Sequence, residues 1–123
     1  PGIPKIDIRT IDMAPFNAEG IELIPIKVYH HKLPVLGFRI GGFVYITDAN
    51  RIDEEERKKI RGCDVLVLNA LRREAHISHF TLQEAIEIVA DLQPKKAYFT
   101  HISHQMGKHG TVEMELPDNI RIA

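Results

Sequence analysis

The chain has a single cysteine, Cys63, among 123 residues, so an intrachain disulfide is excluded and nothing asks for an oxidising compartment. Cys63 stands before an apolar run and reads as a small buried residue. Long apolar runs are also missing. No window approaches the roughly 18 to 20 uninterrupted apolar residues of a membrane-spanning helix, and no signal-like region opens the chain. The expectation is a soluble, cytoplasmic protein without a membrane partner. The longest basic run, Arg57-Lys58-Lys59, directly follows the acidic run Asp53-Glu54-Glu55-Glu56, the others are the pairs Arg72-Arg73 and Lys95-Lys96, and 16 Lys and Arg against 17 Asp and Glu leave a formal charge of −1. That balance gives no electrostatic footprint for nucleic acid. Repeats, low-complexity segments and internal linkers are absent, while a hydrophobic content of 44% suffices for one core.

The patterning is that of an α/β fold. Lys5 to Asp12 alternates apolar and polar residues and predicts a half-buried strand. Ile21 to Tyr29 predicts a second, the two pairing as antiparallel neighbours with one wet face. His30 to Pro34 reads as a turn. Val35–Ile40, Gly41-Gly42 and Phe43–Ile46 read as a hairpin. Its second arm is apolar at every position, as in a strand covered on both faces.

Asp53 to Ile60 places acids first and bases last, matching a helix macrodipole, with Gly62 as a C-terminal cap. Val65–Leu68 predicts a buried strand. Thr81-Leu82-Gln83-Glu84 resembles a capping box, and apolar residues at 82, 85, 86, 89 and 92 continue a helix that ends before Pro94. Ala97-Tyr98-Phe99 is then another buried strand. Antiparallel strands therefore come first and β-α-β-α-β follows. Ile120 to Ala123 reads as an unfinished strand and Pro1-Gly2 opens without a methionine, so residues 1–123 are expected to be a single partial domain.

Chemistry-bearing residues fall at strand ends, the edge that α/β sheets use for ligands. Asp48 follows Phe43–Ile46, and burying it unpaired would be costly; a metal, a base or backbone donors would satisfy it, as would a role in a cap or turn. His101 ends the strand at Ala97–Thr100 and could present a neutral imidazole to a divalent ion or simply bond to backbone. His104, three residues on, could share its face. His76 and His79 precede a helix N-terminus, where an imidazole could hold or protonate a phosphate oxygen or could be an exposed loop residue. His30, His31 and His109 read as surface residues.

Taken together, Tyr45-Ile46-Thr47-Asp48, His79-Phe80-Thr81-Leu82-Gln83-Glu84-Ala85 and Tyr98-Phe99-Thr100-His101-Ile102-Ser103-His104-Gln105 resemble the carboxyl-terminal half of the metallo-β-lactamase superfamily. The likeness is to its phosphodiesterase branch, which includes the phosphonate-pathway cyclic-phosphate phosphodiesterase and, further off, ribonuclease Z. His79 and His101 are 22 residues apart, the branch's interval between its mobile-loop histidine and its last metal-ligand histidine.

The resemblance covers roughly residues 20 to 123 and implies half of an αββα sandwich. It implies Asp48 as the carboxylate bridging two metals, zinc or manganese, His101 as a terminal ligand and His79 as the residue that assists the leaving group. His104 and His76 are implied as substrate-side or supporting partners. The family's His-x-His-x-Asp-His motif does not occur here, and no histidine stands upstream of Asp48 at the family's spacing. The isolated chain is accordingly expected to bind metal weakly or not at all and to be inactive. Its parent would be a hydrolase of small phosphodiesters, partnered by the missing amino-terminal half. The alternatives are a ribonuclease Z-like nuclease, a non-catalytic half-domain that binds partners or dimerises through an exposed sheet, and an unrelated α/β fold.

Overall fold

The computed structural model describes residues 2–123. A seven-stranded mixed sheet runs in chain order: β1 (Phe16–Ala18), β2 (Ile21–His30), β3 (Leu33–Ile40), β4 (Phe43–Ile46), β5 (Val65–Asn69), β6 (Lys96–Thr100) and β7 (Ile120–Ile122). Pairing is antiparallel from β1 to β4 and parallel from β4 to β7. This is the order expected from the sequence. Two successive reversals leave β2 running the same way as β4, β5 and β6, so their carboxyl ends share one edge.

The parallel crossovers carry α1 (Glu54–Arg57), α2 (Leu82–Leu92) and α3 (His109–Glu115). Helix α2 begins at a complete capping box: Thr81 Oγ1 accepts from the Glu84 N–H and Glu84 Oε2 accepts from the Thr81 N–H. It ends at Gln93 in the left-handed region, directly before Pro94. Its apolar stripe, Leu82, Ala85, Ile88, Val89 and Leu92, joins a core formed with Ile26 and Val28 of β2, Val44 and Ile46 of β4, Leu66 and Leu68 of β5, and Ala97 and Phe99 of β6.

Three expectations change. Lys5 to Asp12 forms no strand: the segment is exposed, and the Asp12 carboxylate turns the chain by accepting from the Ala14 N–H. Alternation supplies side-chain pattern but not the neighbouring backbone that a strand must bond to. Here Phe16–Ala18 folds back on β2 across Glu19-Gly20 and takes that position. Strand β4 is covered on one face only, for Val44 and Ile46 are fully buried whereas Phe43 and Tyr45 are 40% and 46% exposed. Leu36 and Ile40 of β3 are exposed on this same face, so an apolar band stays open. Finally, the segment at His109 is helical. Gly107 and Gly110 weaken the local signal, and burial of Val112 and Leu116 supplies what propensity does not.

Replacing Thr81 with Ala removes one arm of the capping box. Urea denaturation should report a loss of about 1 kcal/mol with an unchanged slope.

Candidate metal centre

Two residues at the shared edge leave their strands in a conformation that L-residues rarely adopt. Asp48, two residues beyond β4, has φ 55° and His101, next after β6, has φ 58°. Such geometry costs on the order of 1 to 3 kcal/mol per residue and persists where the surroundings impose it. The surroundings here are backbone bonds. Fully buried Asn69, at the end of β5, accepts the Ala49 N–H on Oδ1 and donates from Nδ2 to the Ala49 carbonyl, both at 2.9 Å. The same carbonyl takes the Phe80 N–H at 2.9 Å. The residue after Asp48 and the residue after His79 are therefore fastened together. The Leu71 N–H to Phe80 carbonyl and Ser103 N–H to Leu71 carbonyl bonds extend this lacing to the loop that follows His101.

The side chains meet around His79. Its Nδ1 stands 3.9 Å from Asp48 Oδ1, and His101 Nε2 stands 3.3 Å from the same oxygen. Ring centroids of His30, His76 and His101 lie 4.8, 4.9 and 4.8 Å from that of His79. The His79 side chain is 10% exposed, and its Nδ1 is buried with no hydrogen-bond partner among the described residues. Burial, followed by the neighbouring imidazoles of His101, His30 and His76, pushes the His79 pKa below the ordinary histidine range, against the opposing pull of Asp48.

His76 is fixed differently. Its Nδ1 accepts the Ser78 N–H at 3.3 Å, which leaves Nε2 as the protonated nitrogen when the ring is neutral, and its ring stacks on His79 at 20°. His104 opens a short 3₁₀ turn, His104–Met106, on the surface, and none of the cluster's ring contacts or ion pairs includes it. A cavity of about 340 Å³ opens beside His101, walled by Ile102, Met106, Val112 and Ile122.

His30, read from sequence as a surface turn residue, is the main correction. It is half-buried at the end of β2, and one ligand atom each from His30, Asp48 and His79 fall within 4.8 Å of one another. The signal was present in strand parity: His30 continues the inward row of Ile26 and Val28, at the edge that β4 and β6 also reach. His31 and His109 are exposed as expected.

The donor set suits a divalent ion. It mixes imidazole nitrogen with carboxylate oxygen, the combination favoured by zinc and also compatible with manganese. An unsatisfied buried nitrogen such as His79 Nδ1 normally costs about 1 to 3 kcal/mol unless something approaches it. Two ligands at about 2.1 Å from a tetrahedral ion stand about 3.4 Å apart, close to the His101–Asp48 separation.

The fold has counterparts among known proteins. The Beta-lactamase superfamily domain matches residues 4–102. A crystal structure of a new diphosphatase from the PhnP family superposes with a TM-score of 0.92 at 33% identity, over 95% of this chain and 46% of that one. Zinc-bound PqqB from Methylobacterium extorquens shares the fold, with a TM-score of 0.69 at 16% identity over 90% of this chain and 51% of that one. An octanoyltransferase of Porphyromonas gingivalis (strain ATCC BAA-308 / W83) is 32% identical over 123 residues, which are 98% of this chain and 25% of that protein. The chain thus spans about half the length of these solved structures and a quarter of the curated relative. With a matching domain over most of its length and the mixed sheet that carries the histidine–aspartate cluster, the chain belongs to the beta-lactamase superfamily, a family of hydrolases of the metallo-β-lactamase fold.

Proposed function

We propose that this chain supplies one half of a metal-dependent phosphoester hydrolase site, with a small phosphodiester or a diphosphate as substrate. The observation that carries the reading is the convergence of Asp48 with His30, His79 and His101 at one sheet edge, with a buried, unpartnered His79 Nδ1 at its centre. The PhnP-family likeness supports the phosphate chemistry. Asp48, with two carboxylate oxygens, is assigned the bridging role between two ions. His101 and His30 are assigned to terminal positions, so His30 takes the place of the upstream histidine that spacing alone did not reveal. Divalent ions, zinc or manganese, would supply a nucleophilic hydroxide at neutral pH and draw charge from the phosphoryl oxygens.

His79 is the residue assigned to the leaving group. Held mostly neutral by burial and by its imidazole neighbours, it would gain proton affinity when an anionic phosphoester arrives beside it. It would then pass that proton to the departing oxygen as the P–O bond breaks. His76, stacked on it, is a supporting residue on the substrate side. His104 stands apart from the cluster and retains a role only at the outer wall of the site.

The remaining ligands and the cover for the open sheet face would come from a second half of the same domain. The exposed apolar side chains of Leu36, Ile40, Phe43 and Tyr45 favour such a partner. Without it the chain should pair through this face, the basis of the alternative reading as a dimerising half-domain. Nuclease activity of the ribonuclease Z kind is the less favoured enzymatic reading, because the charge balance offers no basic surface excess.

The test is hydrolysis of bis(p-nitrophenyl) phosphate and of a dinucleoside diphosphate by zinc- or manganese-loaded protein, assayed for the chain alone and for the chain joined to the other half of a family domain. The joined protein should turn over and the chain alone should not; a joined protein that binds metal yet cleaves neither substrate would overturn the phosphoester assignment. In the joined protein His79→Gln should lower kcat by about 10²- to 10⁴-fold with metal content unchanged, whereas Asp48→Asn should lower metal content as well. Sedimentation of the isolated chain should show self-association that Phe43→Lys and Tyr45→Lys reduce together. In the metal-free chain His79 favours its neutral form more strongly when folded than when unfolded. Its contribution to stability is therefore complete above the ordinary histidine value of about 6.5 and is lost as pH falls below it. Denaturation midpoints at pH 7.5 and 5.5 should differ less in His79→Gln than in the parent chain.

A further inference from the structure

Asn50 lies two residues beyond Asp48 and is bonded to the segments that carry His30 and His79. Its N–H donates to the Tyr29 carbonyl at 2.8 Å, and its Oδ1 accepts the His31 N–H at 2.8 Å. These two bonds grip β2 on either side of His30. Its Nδ2 donates to the Ile77 carbonyl at 3.2 Å, in the loop between His76 and His79. The neighbouring Tyr29 N–H to Arg51 carbonyl bond at 3.0 Å, with the Arg51 guanidinium 3.8 Å over the Tyr29 ring, closes the same junction from outside.

The geometry points to Asn50 as a positioning residue that sets the distance of His30 from Asp48, and so the metal affinity of the edge, and that separately holds the His79 loop against His30. The inference rests on the reading of His30, Asp48 and His79 as one site and adds the residue that holds it in register. The demand on that residue is specific. His31 adopts φ 57°, so the chain reverses immediately after His30. The reversal leaves the His31 N–H without a cross-strand acceptor, and the Asn50 amide oxygen takes it. An amide accepts there through Oδ1 and donates to Ile77 through Nδ2 at the same time, whereas an ionised carboxylate only accepts. The main-chain bond to Tyr29 survives any substitution, so the side chain's part can be isolated. Partners that orient a ligand residue in this way typically control metal affinity by 10- to 100-fold.

The experiment compares Asn50→Ala and Asn50→Asp with the parent chain, reading zinc affinity by chelator competition, the nuclear Overhauser contact between the His30 and His79 rings, and exchange of the His31 amide. Asn50→Ala should speed His31 exchange, weaken the ring contact and lower zinc affinity at least tenfold. Asn50→Asp keeps the acceptor and loses the donor, so it should restore His31 protection and zinc affinity while the ring contact, which depends on the Ile77 tether, stays weakened. A variant that melts earlier but keeps the ring contact and zinc affinity of the parent would overturn the inference and leave a purely structural role. If Asn50→Ala does not fold, Asn50→Asp decides alone: a weakened ring contact with a protected His31 amide supports the inference, and an unchanged contact overturns it. Zinc too weakly held by the unmutated chain to be measured is the behaviour expected of a chain that supplies only part of the ligand set. The ring contact and His31 exchange then still decide the positioning role.

Discussion

The backbone of Ala49 is bonded on both sides by the amide of Asn69, and its carbonyl also receives the Phe80 N–H. Through those three bonds the end of β4, the end of β5 and the loop before α2 become one rigid corner. Asp48 and His79 sit on either flank of it. Asn69 is wholly buried with both of its groups used, and losing either partner would leave an unsatisfied amide in a dry environment. That asymmetry makes the corner an all-or-none device. The left-handed turn at Asp48 is affordable because the residue after it cannot move.

The parallel half of the fold was legible because its signals are local. Thr81 and Glu84 announce the start of α2, Pro94 announces its end, and the apolar spacing between them matches the buried stripe. The antiparallel start was less legible. Ile6 and Ile8 alternate with polar residues as a strand would but have no backbone neighbour among the described residues, whereas the shorter Phe16–Ala18 has one. Pairing is a property of two segments, and one segment's pattern cannot reveal it. The site divides the same way. Asp48 and His101 stand at strand ends and were visible as such, but His30 was hidden by its neighbours His31, Lys32 and Pro34, which read as a turn. Asn69 and Asn50 carry no motif. Their importance comes from which backbone atoms they reach, and this appears only once the strands are assembled.

The open face of the sheet and the cluster at its edge share strand β4, whose Phe43 and Tyr45 are exposed and whose carboxyl end leads to Asp48. A divalent ion is held tightly only when enough donors converge without rearrangement. The backbone beside Asp48 is pinned and the His79 side chain is 10% exposed, whereas the side chains of His101 and Asp48 are 43% and 50% exposed and free to adjust.

Sheet order equals chain order from β1 to β7. No later strand has to be threaded between two earlier ones, and every new strand docks on the one made just before it. Loop-closure entropy rises by only about 0.6 kcal/mol for each doubling of loop length, so the longer crossovers between β4 and β7 cost little more than the hairpins before them. Assembly can therefore proceed outward from the β2–β3 hairpin in the direction of synthesis, with each crossover helix arriving alongside its strand. A chain built in this sequence brings His30, Asp48, His79 and His101 to one rim strand by strand, each arriving with the segment that carries it.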